Sequence, residues 1–162
     1  MSDKLIKYKG IIHETMEDAP FVGALIVANA CNNNCKGCFN QHLKNSKTYE
    51  KSAQDIIKEV KENIFNKGII LGGLEWSENP EDAILLIREA KKCGLGVIVY
   101  TGLNEVDFCN KISEDNLEGC FVKYGEYNED MNCDTYTSCG VRLASTNQYI
   151  KFYSRSCDNI VV

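Results

Sequence analysis

The segment Cys31-Asn-Asn-Asn-Cys35-Lys-Gly-Cys38 sets three thiols at C-x3-C-x2-C spacing. Thiolates spaced this way can surround one face of an iron–sulfur cube and leave its fourth iron without a protein ligand. An iron left open can take a substrate or cofactor, by the logic that separates catalytic from closed structural metal sites. The same residues admit a structural zinc site built from Cys35-x2-Cys38, Cys31 and one distant cysteine or histidine.

The elements around the cysteines decide where such chemistry would sit. Phe21-Val-Gly-Ala-Leu-Ile-Val-Ala28 is an almost continuous apolar run of strand length. A run of that kind suits a strand buried on both faces of a parallel sheet. The cysteines begin three residues after it, in the loop at the carboxyl end of the strand, where α/β folds place their ligands. Ser52-Ala-Gln-Asp55 has the form of a capping box with Asp in place of Glu, and Ile56, Ile57, Val60, Ile64 and Phe65 then recur at helical spacing up to Gly68 as the stop. Ile69-Ile70-Leu71 is a short strand closed by Gly72-Gly73. Asn79-Pro80 opens a second helix, with proline at its first position and acids in its first turn, and Gly94 ends it.

Val97–Tyr100 reads as the next strand, Glu105–Lys111 as a short helix and Cys120–Tyr124 as another strand. Alternation of strand and helix predicts an α/β fold with a mostly parallel sheet wrapped by helices. After Gly125 the pattern loosens, and only Tyr149–Tyr153 again reads as a strand, near an edge. The expectation is a single domain over 1–162, with 125–162 as a tail that covers the open side of the sheet or meets a partner.

The 162 residues are one domain's worth, short for a complete eight-stranded barrel, so a trimmed fold is expected. A net charge of −5 with no basic stripe argues against a nucleic-acid partner. Met1-Ser2-Asp3-Lys4 does not read as the start of a signal peptide, and the longest apolar run is too short to span a bilayer. A cytoplasmic setting is therefore expected, in which the nine cysteines are reduced thiols and metal ligands rather than disulfides.

Two strand-end loops fall on one face: Cys31 to Cys38, and Gly72-Gly73-Leu74-Glu75. A C-x3-C-x2-C loop after the first predicted strand, followed by a Gly-Gly-acid turn after the second, resembles the radical S-adenosylmethionine (radical SAM) superfamily. The resemblance implies an abbreviated partial (β/α) barrel of the radical SAM type, with a [4Fe–4S] cluster held by Cys31, Cys35 and Cys38. It also implies S-adenosylmethionine bound to the open iron through its amino and carboxylate groups, the amino group meeting Gly72 and Gly73. Glycines permit close backbone approach and expose carbonyl oxygens to an ammonium, and Glu75 adds favourable charge. Here Leu74 separates the glycines from the acid and Trp76 follows it, whereas the family's turn runs Gly-Gly-Glu/Asp-Pro. Without the cysteines the same turn reads as an ordinary strand exit with a solvated glutamate.

Within the superfamily the chain is most similar to the small activating proteins of anaerobic ribonucleotide reductase. The cluster loop Cys35-Lys-Gly-Cys38-Phe39-Asn40, the late segment Ser145-Thr146-Asn147-Gln148 and the short chain carry that similarity. It implies reductive cleavage of S-adenosylmethionine to a 5′-deoxyadenosyl radical, which takes hydrogen from a glycine of the partner reductase. The cofactor then carries the hard step and the protein supplies position, exclusion of water and an electron path. A low-potential donor such as flavodoxin or ferredoxin is implied as a second partner. Phe39 and Asn40 are implied near the adenosine, although Phe39 also reads as a core aromatic at a strand exit. Tyr100, Thr101 and Gly102, at the end of the third predicted strand, are candidates to line the same pocket through hydroxyl and backbone groups, and Lys123, Tyr124 and Gly125 are similarly placed.

The remaining reactive residues read more plainly. His13 and His42 are isolated and suit polar surface or capping roles. Cys93, Cys109 and Cys120 suit small buried hydrophobes. Cys133, Cys139 and Cys157 lie in the tail, where with Cys120 or Cys109 they form either an auxiliary metal site or none. Two other functions stay open at this stage: a small radical SAM enzyme acting directly on a metabolite, and a structural zinc-binding module.

Overall fold

Seven strands form one sheet in the computed structural model, which describes residues 4–29, 47–133 and 135–154. In chain order the elements are β1 (Leu5–Thr15), β2 (Gly23–Ala28), β3 (Tyr49–Ser52), α1 (Ala53–Glu62), β4 (Gly68–Gly72), α2 (Pro80–Lys92), β5 (Gly96–Tyr100), α3 (Glu105–Lys111), α4 (Glu114–Leu117), β6 (Phe121–Tyr124), the hairpin β7 (Thr137–Ser138) and β8 (Val141–Arg142), and β9 (Tyr149–Phe152). The order across the sheet is β3-β1-β2-β4-β5-β6-β9. Its centre, β2 to β6, is parallel. Antiparallel β1 and β3 extend one side and antiparallel β9 the other. No helix among the described residues is long and apolar enough to cross a membrane.

Register explains why the central strands are apolar throughout. Ala24, Ile26, Ile69, Leu71, Val97, Val99, Val122 and Tyr124 point to the helical side and pack with Ile56, Ile57, Val60, Leu86, Ile87 and Phe108. The alternate residues Leu25, Ile70, Ile98 and Phe121 lie side by side on the opposite face. Ala19, Val141 and Leu143 cover that second face, which Ile150 of β9 extends. Both faces are buried, as a parallel sheet requires.

A row of glycines closes the lower end of the second face. Gly23, Gly68 and Gly96 are paired across the first residues of three adjacent strands. The Phe21 ring lies over all three: a Cβ on Gly23 or Gly96 would stand 3.0 Å from it, and one on Gly68 would overlap it. A side chain at Gly68 would displace the ring, and one at Gly23 or Gly96 would press on it.

Local capping sets the helix ends. Ser52 Oγ accepts from Asp55 N–H at 3.2 Å, the bond the capping pattern predicts. The C-terminus differs from expectation: α1 stops at Glu62, with Asn63 rather than Gly68 at its end. Asn66 Nδ2 donates to the Val60 carbonyl at 3.0 Å, and Asn63 Oδ1 accepts from Phe65 N–H at 3.0 Å. These side-chain bonds replace the next helical turn. Ile64 and Phe65, expected on the helix face, are 74% and 61% exposed.

β1 is a second difference. Eleven residues precede the first expected strand and pair along β2, with Ile6 and Tyr8 buried and Leu5 and Lys7 exposed. α4, β3 and the β7–β8 hairpin were likewise not anticipated by the pattern. β9 occupies the expected edge position.

Candidate functional site

The carboxyl ends of β2, β4, β5 and β6 open on one rim. β2 ends at Ala28, and Asn29 is the last described residue before the cysteine loop. Thr48 Oγ1 donates to Asn29 Oδ1 at 2.9 Å, and Lys9 Nζ donates to Thr48 Oγ1 at 3.1 Å. The two ends of the segment 30–46 are thus joined at their base. Cys31, Cys35, Cys38, Phe39, Asn40 and His42 lie outside the described residues.

Gly72 and Gly73 follow on the neighbouring strand. A Cβ on Gly72 would sit 3.3 Å from Leu25 Cδ1 and 3.5 Å from Tyr100 Cβ. Gly73 has φ +80°, and a Cβ there would stand 2.6 Å from Val27 Cγ1. Both the conformation and the close approach to β2 require glycine at this turn.

Glu75 is buried rather than solvated, at 4% exposure. Its Oε2 accepts from Ser77 N–H at 3.2 Å, Ser77 Oγ at 2.7 Å and Thr101 Oγ1 at 2.9 Å, and its Oε1 accepts from Gly102 N–H at 2.8 Å. One carboxylate therefore caps the short 3₁₀ turn Trp76–Glu78 and ties the loop after β4 to the loop after β5. Trp76 Nε1 donates to the Ile26 carbonyl at 3.0 Å, fixing the same loop to β2. Hydrogen bonds to an ionised acceptor are the strong ones, so this junction is stiff.

Thr101 adds a second lock. Its N–H donates to the Lys123 carbonyl at 2.9 Å and its Oγ1 accepts from Leu103 N–H at 3.1 Å. Tyr100 points to the second face, where its phenol donates to the Asp18 carbonyl oxygen at 2.6 Å. Burial, with a smaller push from the Asp18 carboxylate, raises the Tyr100 phenol far above its ordinary value, so it stays a neutral donor. Lys123, paired with Tyr100 across β5 and β6, is 6% exposed. Its Nζ lies 5.3 Å from the Tyr100 ring centroid and donates to the Gly125 carbonyl at 2.9 Å.

The late segment Ser145–Gln148 braces the exit from β6. Gln148 Nε2 donates to the Gly125 carbonyl at 3.2 Å while its Oε1 accepts from Ser145 N–H at 3.2 Å. Ser145 Oγ accepts from Asn128 N–H at 3.2 Å, and Asn147 Nδ2 donates to the Glu126 carbonyl at 2.9 Å. Gly125, at φ +100°, lies against this brace, with a Cβ there only 3.2 Å from the Asn147 carbonyl oxygen. The sequence marks the segment by type, and the structure gives it this mechanical role at the rim.

Behind the rim, on the helical side, Tyr124 and Tyr153 share a hydrogen bond between their hydroxyls, and Cys109 Sγ lies 3.8 Å and 3.7 Å from the two oxygens. Burial pushes the Cys120 thiol up to about 11. Cys133 pairs with Thr135 Oγ1 and Cys139 with the Ile150 carbonyl. Among the described residues no group of three or more histidines, cysteines or acids is placed to hold a metal ion. Cys157 lies outside the described residues. His13 Nδ1 meets Asn66 Nδ2 at 2.9 Å at the far end of β1, a local polar role.

Sequence reasoning named Gly72, Gly73, Glu75, Tyr100 and Thr101, and the structure brings all five to one rim. It missed Asn29 and Thr48, whose parts are played by single polar atoms in loops and carry no periodic signal. In comparison with known families, residues 22–150 match the family described as 4Fe-4S single cluster domain. No curated protein matches the chain.

Proposed function

The chain belongs to the 4Fe-4S single cluster domain family, and from that membership we propose that it is a radical SAM activating enzyme that generates a glycyl radical on a partner, anaerobic ribonucleotide reductase. The fold proposed with it is an abbreviated partial (β/α) barrel whose inner surface is the second face of the sheet. The observation that carries the reading is the adjacency of two strand ends. The loop with three thiols leaves β2, and the parallel strand paired with it, β4, ends in Gly72-Gly73.

The donor set fits the group. Three thiols at this spacing suit three irons of a [4Fe–4S] cluster, and Cys31, Cys35 and Cys38 would hold it. When bound, such a cluster with one iron free of protein ligands supplies one-electron cleavage of S-adenosylmethionine, and the radical released takes hydrogen from a glycine. The chain's own residues position and shield. The Gly72-Gly73 backbone, held against Val27 and Leu25, offers polar groups to the cofactor's amino group. Glu75, Thr101 and Gly102 keep that turn in register with the end of β5. Phe39 and Asn40 would wall the adenosine, and Tyr100, whose hydroxyl is held by the Asp18 carbonyl, contributes its ring on the second face. Val141 and Leu143 keep water off the second face, and exclusion of water preserves a radical for its intended target.

The test is electron paramagnetic resonance of the anaerobically reconstituted, reduced protein with and without S-adenosylmethionine. The expected result is a [4Fe–4S]⁺ signal that changes on adding the cofactor. Replacing Cys31, Cys35 or Cys38 by alanine removes the signal and glycyl-radical formation, whereas Cys93→Ala, remote at the end of α2, leaves both in place. Tightly bound zinc with no cluster signal, or retained activation in Cys35→Ala, would overturn the proposal.

A further inference from the structure

The end of the sheet opposite the rim carries a recess left by two early stops. β3 pairs with β1 only over Leu5–Tyr8, so among the described residues no strand lies outside the rest of β1. α1, on the helical side, stops at Glu62. Between them opens a recess of about 470 Å³, lined by His13 and Glu14 of β1, Glu59 and Glu62 of α1, and Ile64 and Phe65 of the loop that follows.

The apolar pair in this recess is presented by a tied loop. Asn66, only 5% exposed, accepts from Glu14 N–H at 2.9 Å, donates to the Val60 carbonyl at 3.0 Å and meets His13 Nδ1 at 2.9 Å. Asn63 Nδ2 donates to the Glu14 carboxylate at 2.8 Å. Glu14 itself stands at φ +56°, a left-handed conformation that is strained for a residue with a Cβ and persists because these bonds fix it. The same bonds hold Ile64 and Phe65 in water at 74% and 61% exposure. Single exposed apolar side chains are ordinary, but two on a fixed loop beside a recess form a surface that binds without first having to be ordered.

Charge selects the occupant. The carboxylates of Glu14, Glu59 and Glu62 line the recess, and no lysine or arginine does. Lys51 reaches Glu59 from β3 at 2.6 Å, whereas Lys58 and Lys61 line a separate hollow with Cys93. We propose that the recess is a docking site for a segment of another protein in which a large apolar side chain is flanked by lysine or arginine. The apolar side chain sits on Ile64 and Phe65, and its flanking cations meet Glu14 and Glu62. The inference is independent of the iron–sulfur reading. The recess lies at the amino end of β2, where Thr15 of β1 pairs with Gly23, so a chain bound there leaves the rim open.

The experiment titrates the full chain against fluorescent peptides and reads anisotropy at low and high salt. One peptide is built of lysine and serine around a central leucine, and a second has serine in place of the leucine. The leucine peptide is expected to bind the parent about tenfold more tightly than the serine peptide, as burial of one large apolar side chain implies. Both should weaken as salt rises. Ile64→Ser/Phe65→Ser, at exposed positions, should bind the two peptides alike. Glu14→Gln/Glu62→Gln should bind both at least about fivefold more weakly at low salt, with a flatter salt dependence. Glu114→Gln/Asp115→Asn, on α4 beside α2, should bind as the parent does. Equal binding of the two peptides by the parent, a leucine preference retained in Ile64→Ser/Phe65→Ser, or equal weakening by the two acidic double variants would overturn the proposal. So would a dimer of the parent in sedimentation that Ile64→Ser/Phe65→Ser abolishes, since the recess would then belong to a second copy of this chain.

Discussion

Thr48 Oγ1 donates to Asn29 Oδ1 across 2.9 Å, and this bond joins the two ends of the segment that carries Cys31, Cys35 and Cys38. Closing a loop at its base removes chain freedom before any ligand is bound. Thr48→Val keeps the side-chain shape and deletes the donor, whereas Thr48→Ser keeps it. A hydrogen bond of this kind contributes about 0.5–1.5 kcal/mol. Thr48→Val should therefore lose iron to a chelator up to about tenfold faster than the parent, with an unchanged circular dichroism spectrum. Equal loss rates for the parent, Thr48→Val and Thr48→Ser would show that the bond does not organise the loop.

Gly73 meets two constraints that can be separated. Its φ of +80° is strained for any residue with a Cβ, and its Cβ would press on Val27 Cγ1 at 2.6 Å. Gly73→Ala should destabilise the protein by about 2–4 kcal/mol from both causes together. Shortening the neighbour in Gly73→Ala/Val27→Ala relieves only the steric part. The double mutant should then be more stable than the sum of the single effects predicts, by about 1 kcal/mol or more in a urea-melt cycle. Strict additivity would mean that the backbone conformation alone demands glycine.

Glu75 tests the difference between a ligand and a brace. Four donors converge on its carboxylate, two from its turn partner Ser77 and two from Thr101 and Gly102 in the next strand-end loop. Glu75→Gln puts an amide donor against some of those donors and removes the charge. The expected loss is about 2–3 kcal/mol, because hydrogen bonds to a charged group are involved and buried donors are left unmet. Thermal melts of Glu75→Gln and Thr101→Val check this. Unaltered stability with a selective loss of S-adenosylmethionine affinity would assign Glu75 to the cofactor instead.

The sequence speaks clearly where one physical cause acts alone. Continuous apolar runs at 21–28, 69–71 and 97–100 admit few alternatives to buried parallel strands, and Ser52 with Asp55 marks a helix start by a bond between near neighbours. Readings fail where distant residues compete. Gly68 reads locally as a helix stop, yet its role is to lie under Phe21 beside Gly23 and Gly96, a three-strand relationship no local window contains. β1 hides because Lys7 and Lys9 interleave with Ile6 and Tyr8 and a register shift at Gly10 interrupts the alternation. At the rim, residue types reveal Gly72, Gly73 and Glu75. The use of Glu75 as a cross-loop brace depends on Thr101 and Gly102, some 26 residues away, and so appears only once β4 and β5 are side by side.

Alkaline pH should loosen the fold from a known direction. Burial raises the Cys120 thiol from an ordinary 9.0 to about 11. Burial, with a smaller push from Glu105, raises the Tyr149 phenol to about 12. Tyr100 and Tyr124 are raised by burial as well. Each is an acid that ionises later in the folded chain than in the unfolded one. Above pH 9 the unfolded chain therefore binds fewer protons, and stability falls as pH rises. The Cys120 contribution is complete below pH 9 and is lost between 9 and about 11, at most about 3 kcal/mol in all. Anaerobic urea midpoints at pH 7.5, 9 and 10.5 should fall progressively for the parent. Cys120→Ala should start lower, from the small cavity it leaves, and then decline less steeply above pH 9. Parallel declines for the two proteins would show that the Cys120 thiol is not the group being deprotonated.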